Sequence, residues 1–525
     1  MRTGWNPASE LAMTLRLSAI DVGIVIVYLA AIVGMSFALA RRQHDGEDYF
    51  LAGRRLRGST LAISILANQA SAVSLVGAPA FVALREDGGL RWLQYELAVP
   101  LAMLVLIVLL LPALRSVPGS SIYAYAEQRF GRRTRQALAA SFLLSRGLSL
   151  GVILYASALV VSTALGWPVA WSILAIGLFS VAYTSLGGLA ADVWSDVAQF
   201  VLLWGGTLVA AAYVLVHGGP DVLHAIPLSR VRPLVLDATG LHDGTTFAFW
   251  PMLFGGMFLY LSYYGCDQSQ AQRLLAARSN ADAKRALVWN GLLRFPLVLT
   301  YCLFGLLLAG LLRVDAGFAA EMANRPADSL VPTFMMGYLP AGLRGLLLAA
   351  ILAAAMSSID SALNSLAAVT LEDVAGIAPG RQSVWLSRGV SLGWGVFAVA
   401  SGVGFARSGS GVLETINLIG SAFYGPVLAV FTLGVLVPRV TGNAPLVGLV
   451  AGLLSNVALA RLAPGISWLW WNPAGFLVTG AVTLSICRVP PTPAFGRWPR
   501  REAIVLVGAF IVMLAILAGA SLTVG

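Results

Sequence analysis

Apolar residues gather along this chain into long continuous runs, parted by shorter stretches that hold many of the arginines, glycines and prolines. A hydrocarbon core about 30 Å thick takes roughly 20 helical residues to cross. Inside it every backbone N–H and C=O must be paired within the protein, which admits only helices or closed barrels. The runs are continuous rather than alternating, and that selects helices. Fourteen are long enough: 17–40, 60–83, 92–114, 136–164, 168–187, 192–216, 247–265, 287–313, 341–370, 384–405, 411–437, 443–463, 469–487 and 502–524. The first exceeds the roughly 7–15 apolar residues of a cleaved signal peptide and is read as an anchor. The predicted fold class is an all-α polytopic membrane protein of about 14 transmembrane helices.

Composition agrees. Hydrophobic residues make up 58% of the 525 and charged residues 11%, less than half of the roughly 25% usual in globular domains. The net charge of +10 does not point to nucleic acid, because the arginines sit between apolar runs. Arg41, Arg42, Arg54, Arg55 and Arg57 follow the first run, and Arg115, Arg129, Arg132, Arg133 and Arg135 follow the third. Arg273, Arg278, Lys284 and Arg285 follow the seventh, and Arg497, Arg500 and Arg501 the thirteenth. These alternate loops share one side, which the positive-inside rule makes the cytoplasm, with both termini outside. Arginine-rich, lysine-poor usage suggests a GC-rich bacterium, hence a bacterial inner membrane. Three scattered cysteines, Cys266, Cys302 and Cys487, and four histidines in loops or at run ends outline neither a disulfide framework nor a metal site. No stretch outside the runs is longer than the one near 217–246, so the chain reads as one membrane domain, 1–525.

Transporters with inverted repeats interrupt two helices near the midplane, turning half-helix ends and unwound carbonyls toward ion and substrate. The second run holds Ala67-Asn68-Gln69-Ala70-Ser71-Ala72-Val73-Ser74, then Gly77 and Pro79. Five runs later comes Gly255-Gly256, followed by Tyr260, Tyr263 and Tyr264, the separation a five-plus-five repeat requires. Small residues also serve helix packing, and that alternative stands beside the first. In the ninth run Ser357, Asp360, Ser361 and Asn364 are spaced three and four apart on one face. Sodium is a hard cation that wants oxygens, and a carboxylate at membrane depth is a functional candidate. Asp196, with Asp192 a turn earlier, is the second carboxylate, or else a helix-end group at the cytoplasmic interface. A cation between Asp196 and Asp360 would offset their repulsion; without one, a carboxyl would hold a proton.

These segments resemble the sodium:solute symporter family over nearly the whole chain. The resemblance rests on Asp48-Tyr49-Phe50-Leu51-Ala52-Gly53-Arg54-Arg55, Ser121-Ile122-Tyr123, and Glu127-Gln128-Arg129-Phe130-Gly131. It continues through Gly187-Gly188-Leu189 with Trp194-Ser195-Asp196-Val197-Ala198-Gln199, Asp267-Gln268 with Gln272-Arg273, and the serines of the ninth run with Asn364-Ser365. Ile419-Gly420-Ser421 with Phe423-Tyr424-Gly425-Pro426 completes it. It implies a five-plus-five inverted-repeat core over 59–437, with 17–40 and 443–524 as extra helices. It implies sodium as coupling ion, held at a main site by Ala67, Ala70, Ala354, Ser357 and Ser358. A second sodium or proton site takes Asp196, Ser357, Asp360 and Ser361, Asp360 standing where the family often has Ser or Thr. The implied solute residues are Ser71, Ser74, Tyr95, Glu96, Arg146, Tyr263 and Asn417. Each has a plainer alternative: packing for the serines, interfacial anchoring for Tyr95 and Glu96, a helix–helix hydrogen bond for Asn417, and pairing with Glu96 or a carbonyl for Arg146.

The expected activity is sodium-coupled symport of a small organic solute (sugar, sugar acid, carboxylate or amino acid) by alternating access, in a lipid-embedded monomer or weak oligomer. A sodium-independent uniporter or channel, or a proton-coupled symporter, is the alternative. A membrane enzyme would need clusters such as H-E-x-x-H, which are absent from the sequence.

Overall fold

The computed structural model describes residues 17–40, 52–116, 121–184, 189–377, 384–408, 411–488 and 499–522. Helical segments occur in each of the fourteen apolar runs. In chain order the elements are α1 Ala19–Ala40, α2 Gly58–Gln69, α3 Ala72–Leu84, α4 Gly89–Leu114, α5 Tyr123–Phe130 and α6 Arg132–Leu165. Then come α7 Val169–Thr184, α8 Leu189–His224, α9 Gly256–Cys266, α10 Gln268–Leu275, α11 Asn280–Val314 and α12 Leu330–Tyr338. The chain continues with α13 Leu343–Val369, α14 Val384–Ala406, α15 Val412–Leu436, α16 Ala444–Leu462, α17 Trp471–Cys487 and α18 Arg500–Leu522. Among the described residues nine helices are long and apolar enough to cross a membrane, ten if α2 and α3 form one bent span. Large apolar side chains such as Ile26, Trp171, Trp385, Leu454 and Ile504 are exposed, as lipid-facing surfaces require.

α2 and α3 meet at 57°. Ala70 leaves helical geometry (φ −80°, ψ 66°) and Ser71 is extended (φ −80°, ψ 177°). The polar, small-residue stretch read as an interruption is one. The seventh run behaves differently. Gly255 (φ −59°, ψ −41°) and Gly256 (φ −61°, ψ −42°) are both helical, where a π-helical turn, Pro251–Gly255, leads into α9. No break lies between them, which corrects the expectation from sequence. Their missing side chains admit close neighbours: a Cβ on Gly255 would sit 2.4 Å from the Leu469 carbonyl oxygen, and one on Gly256 2.8 Å from the Tyr95 ring. Packing explains this pair. The chain turns instead at Asp267 (φ −87°, ψ 124°), whose side chain caps α10 by accepting from the Ser269 N–H at 2.9 Å.

Around the break, α2 and α3 pack on α11, α2 on α8, and α13 on α8 and α2. α9 packs on α15 and α6 on α14 and α15. The result is a continuous apolar core. A smaller cluster joins Tyr28 and Ile32 of α1 to Ala349, Ala353 and Met356 of α13. At the head of α13, Asp21 accepts from the N–H groups of Gly342 (2.7 Å) and Gly345 (2.8 Å), anionic charge at a helix N-terminus.

Candidate functional site

A helix that stops at Gln69 leaves its last four carbonyls without the next turn's donors. The Leu66 carbonyl takes the Ala70 N–H at 2.8 Å. Gln69 O accepts from the Ser74 hydroxyl at 3.4 Å, and Asn68 O from the Ser358 hydroxyl at 3.3 Å. Ser358 thus reaches from α13 to the break, and Ala67, Ala70, Ala354, Ser357 and Ser358 are all buried. An unwound backbone faced by a hydroxyl of a second helix offers oxygens of the kind a monovalent cation takes.

Beside it lies a charged cluster that sequence reasoning assembled only in part. Asp196 accepts from Ser357 through Oδ1, and through Oδ2 from Ser64 at 2.5 Å. Asp192 accepts from Ser361 at 2.8 Å. The Arg273 guanidinium bridges them, with Nη2 2.9 Å from Asp192, 2.9 Å from Asp196 and 2.8 Å from the Ser361 hydroxyl. Arg273, one of the arginines after the seventh run and part of the Gln272-Arg273 mark, is no loop charge: it is 1% exposed, on α10 inside the protein. Asp360 lies one turn past Met356, on the side of α13 that faces α1, within electrostatic reach of Tyr28. The charge opposite Asp196 is therefore Arg273 rather than Asp360.

Next to the break a cavity is lined by residues of α2, α3, α4, α6, α9, α11 and α15. Six of the seven expected solute residues line it: Ser71, Ser74, Tyr95, Arg146, Tyr263 and Asn417. Tyr95 donates its hydroxyl to Asn417 Oδ1 at 3.4 Å, and Tyr263 accepts from Gln270 at 2.8 Å. Glu96 is the exception. It is fully buried behind the wall, paired with Arg294 at 3.0 Å and accepting from Tyr260 at 3.1 Å. It is neither an interfacial anchor nor a partner of Arg146. Arg294 also lines the cavity; it was missed although it stands within the apolar run 287–313, the signal that marks an intramembrane charge. Arg146 is 4% exposed, and its Nε and Nη2 find no hydrogen-bond partner in the protein.

Segments far apart in sequence meet on the side of the arginine-rich loops. The Ile122 N–H donates to Gln268 at 3.0 Å and the Tyr123 hydroxyl to the Cys266 carbonyl at 3.1 Å. Arg135 holds Asp373 (2.6 Å) and Glu127 (2.5 Å). The segment Asp48–Leu51 and the pair Gly187 and Gly188 lie outside the described residues.

Comparison with known proteins matches residues 49–452 to the sodium:solute symporter family. The chain belongs to that family. It is 30% identical to the human sodium/iodide cotransporter over 452 residues, covering 84% of this chain and 69% of that one. It is 29% identical to sodium-coupled monocarboxylate transporter 1 of Xenopus laevis, covering 83% and 70%. A Na+-coupled sialic acid symporter, solved substrate-bound and outward-open, superposes with a TM-score of 0.78 at 23% identity, covering 91% of this chain and 99% of that one. A closed nucleobase-cation-symport-1 family transporter gives 0.54 at 13% identity. As a sodium:solute symporter, the chain is a multi-pass membrane protein that couples Na+ to the symport of a small solute. Its relatives are transporters rather than enzymes.

Proposed function

We propose that this symporter carries a small organic anion, captured by Arg146 in the cavity beside the helix break. The observation that carries the reading is the Arg146 guanidinium, buried at the cavity wall with Nε and Nη2 unpartnered. A guanidinium offers paired donors in the geometry of a carboxylate, and leaving them unpaired in a buried site is costly. Ser71, Ser74, Tyr95, Tyr263 and Asn417 surround the same space with hydroxyl and amide groups, while Val73, Ile153, Leu259 and Ile416 supply an apolar wall. Iodide and monocarboxylates, named for two of the relatives, are anions, and this agrees.

Sodium, in this reading, binds at Ala67, Ala70, Ala354, Ser357 and Ser358, bracing the break of α2 and α3 against α13. Ser71, on the cavity wall, directly follows Ala70, so sodium stabilises the cavity-competent arrangement by population shift. The backbone crosses the bilayer fourteen times, with a five-plus-five inverted-repeat core over 59–437 and with 17–40 and 443–524 as added helices. The arginine-rich loops face the cytoplasm of a bacterial cell and both termini face outside.

Thermal stability of the detergent-purified protein tests the reading, measured with monocarboxylates, sugar acids, neutral sugars and amino acids in sodium and in potassium chloride. An organic anion that stabilises in sodium and not in potassium is the expected result. Stabilisation by a neutral sugar alone would overturn the anion assignment. Equal stabilisation in both salts would overturn sodium's role at the cavity.

A further inference from the structure

The cavity has a smaller neighbour. Tyr123, Ser145, Ser262, Asp267 and Tyr424 are among the residues that line this second pocket. It lies on the side of the arginine-rich loops, where the Tyr123 hydroxyl donates to the Cys266 carbonyl. Tyr424 lines both spaces, and its ring centre is 6.3 Å from that of Tyr263 on the cavity wall. Arg146 lines the cavity, and Ser145, its neighbour in the chain, lines the pocket. Asp267 is 2% exposed. Its Oδ1 accepts from the Ser269 N–H at 2.9 Å and the Ser269 hydroxyl at 2.5 Å, which caps α10. Its Oδ2 is buried and has no hydrogen-bond partner among the described residues. The carboxylate is within electrostatic reach of Arg146, whose Nε and Nη2 are likewise buried and unpartnered. Buried charged groups with unused donors and acceptors are costly, and here the free oxygen of one and the free nitrogens of the other are not joined.

We propose that Asp267 is the carboxylate that trades places with the solute on Arg146. With solute in the cavity, Arg146 holds the solute's anionic group; with the cavity empty, the guanidinium turns to Asp267 Oδ2. The inference rests on the reading of Arg146 as the residue that captures the anion. An arginine moves its end between two acceptors by rotamer changes alone, while Asp267 is held still by the helix it caps. An anion that leaves a buried guanidinium strands an uncompensated charge. A carboxylate waiting across the wall removes that penalty, so the solute is both held firmly and let go. Asp267 is a positioning residue here: it acts through Arg146 and does not touch the solute.

Isothermal titration of the purified full chain in sodium chloride, with lactate, pyruvate and gluconate as probes, tests the exchange. Asp267→Asn removes the charge and keeps the cap, asparagine and aspartate being equally good at a helix N-terminus. Asp267→Ser, a cap of the same rank, serves if the asparagine chain does not fold. The probe no longer has to displace an internal rival, so its affinity is expected to rise roughly tenfold, the equivalent of one charge-assisted hydrogen bond. Uptake into proteoliposomes is expected to turn over more slowly, because nothing takes over Arg146 as the solute leaves. Loss of a nearby negative charge would by itself tighten anion binding, so the deciding comparison is Arg146→Gln against Arg146→Gln/Asp267→Asn. These two are expected to bind the probe equally. Tightening of the same size in both backgrounds overturns the proposal, as does unchanged or weaker binding by Asp267→Asn alone. If no probe binds wild type, or if Arg146→Gln binds as tightly as wild type, the anion reading itself fails and takes this inference with it.

Discussion

Arg146 and Arg294 are both buried arginines on the wall of one cavity, and their surroundings give them different tasks. Arg294 is neutralised by Glu96, which also takes the Tyr260 hydroxyl, so the pair braces α4, α9 and α11 from behind. Arg146, which lines the cavity, keeps two buried nitrogens without a hydrogen-bond partner. A charge-assisted hydrogen bond contributes about 1.5–3 kcal/mol, roughly ten- to hundredfold in affinity. Arg146→Gln is therefore expected to weaken binding of the stabilising anion by that factor while leaving sodium binding unchanged. Isothermal titration of the anion, with sodium binding measured on the same preparation, checks it. A variant that binds the anion as tightly as wild type would remove Arg146 from the solute site.

At the scale of helices, what matters is how each end is finished. α15 begins at Val412, and Asp328, from the segment before α12, accepts the Val412 N–H at 2.9 Å. Burial is the largest influence on this carboxyl and pushes its pKa up from 3.8 to about 6, against the lowering effect of the Val412 hydrogen bond. A carboxyl whose pKa is raised on folding contributes stability below its unfolded pKa and loses it as pH rises through the folded value. Wild type is thus expected to lose stability relative to Asp328→Asn between about pH 4 and pH 6. The asparagine side chain can still accept the N–H and does not ionise. Melting temperatures of the two proteins across that range test this; a constant difference would contradict it. The helix break shows the same dependence on ends. The polar stretch at 67–74 marked it in the sequence, and the chain does bend there. Gly255-Gly256 carries a similar small-residue signature, yet both glycines are helical because what they admit is the Leu469 carbonyl and the Tyr95 ring. A small residue is permissive of a break and of close packing alike, and only the neighbour decides between them.

For the whole molecule, sodium count and solute charge together decide what the membrane potential can do. One sodium with one monovalent anion would move no net charge, and solute accumulation in proteoliposomes would then follow the sodium gradient and ignore an imposed potential; a second sodium would restore the dependence. One sodium with a neutral solute would instead gain about 2.3 kcal/mol per 100 mV, roughly fiftyfold in the accumulation ratio. Flux of the stabilising anion at clamped potentials separates the two.

The sequence alone was enough to establish the helical class, the apolar runs, the family and six residues of the cavity wall. Those properties depend on composition summed over about 20 residues, or on residue types that few other settings tolerate at membrane depth. Tertiary structure decided the pairings. Glu96 belongs to Arg294, Asp196 faces Arg273, and Asp360 turns toward α1. Arg273 sits within a string of arginines that obeys the positive-inside pattern, and although Gln272-Arg273 carries part of the family resemblance, no local feature shows which carboxylates it meets. Successive residues of a helix point about 100° apart. Which charge meets which therefore depends on the rotation and packing of helices brought together from distant parts of the chain, and that is set only when the bundle closes.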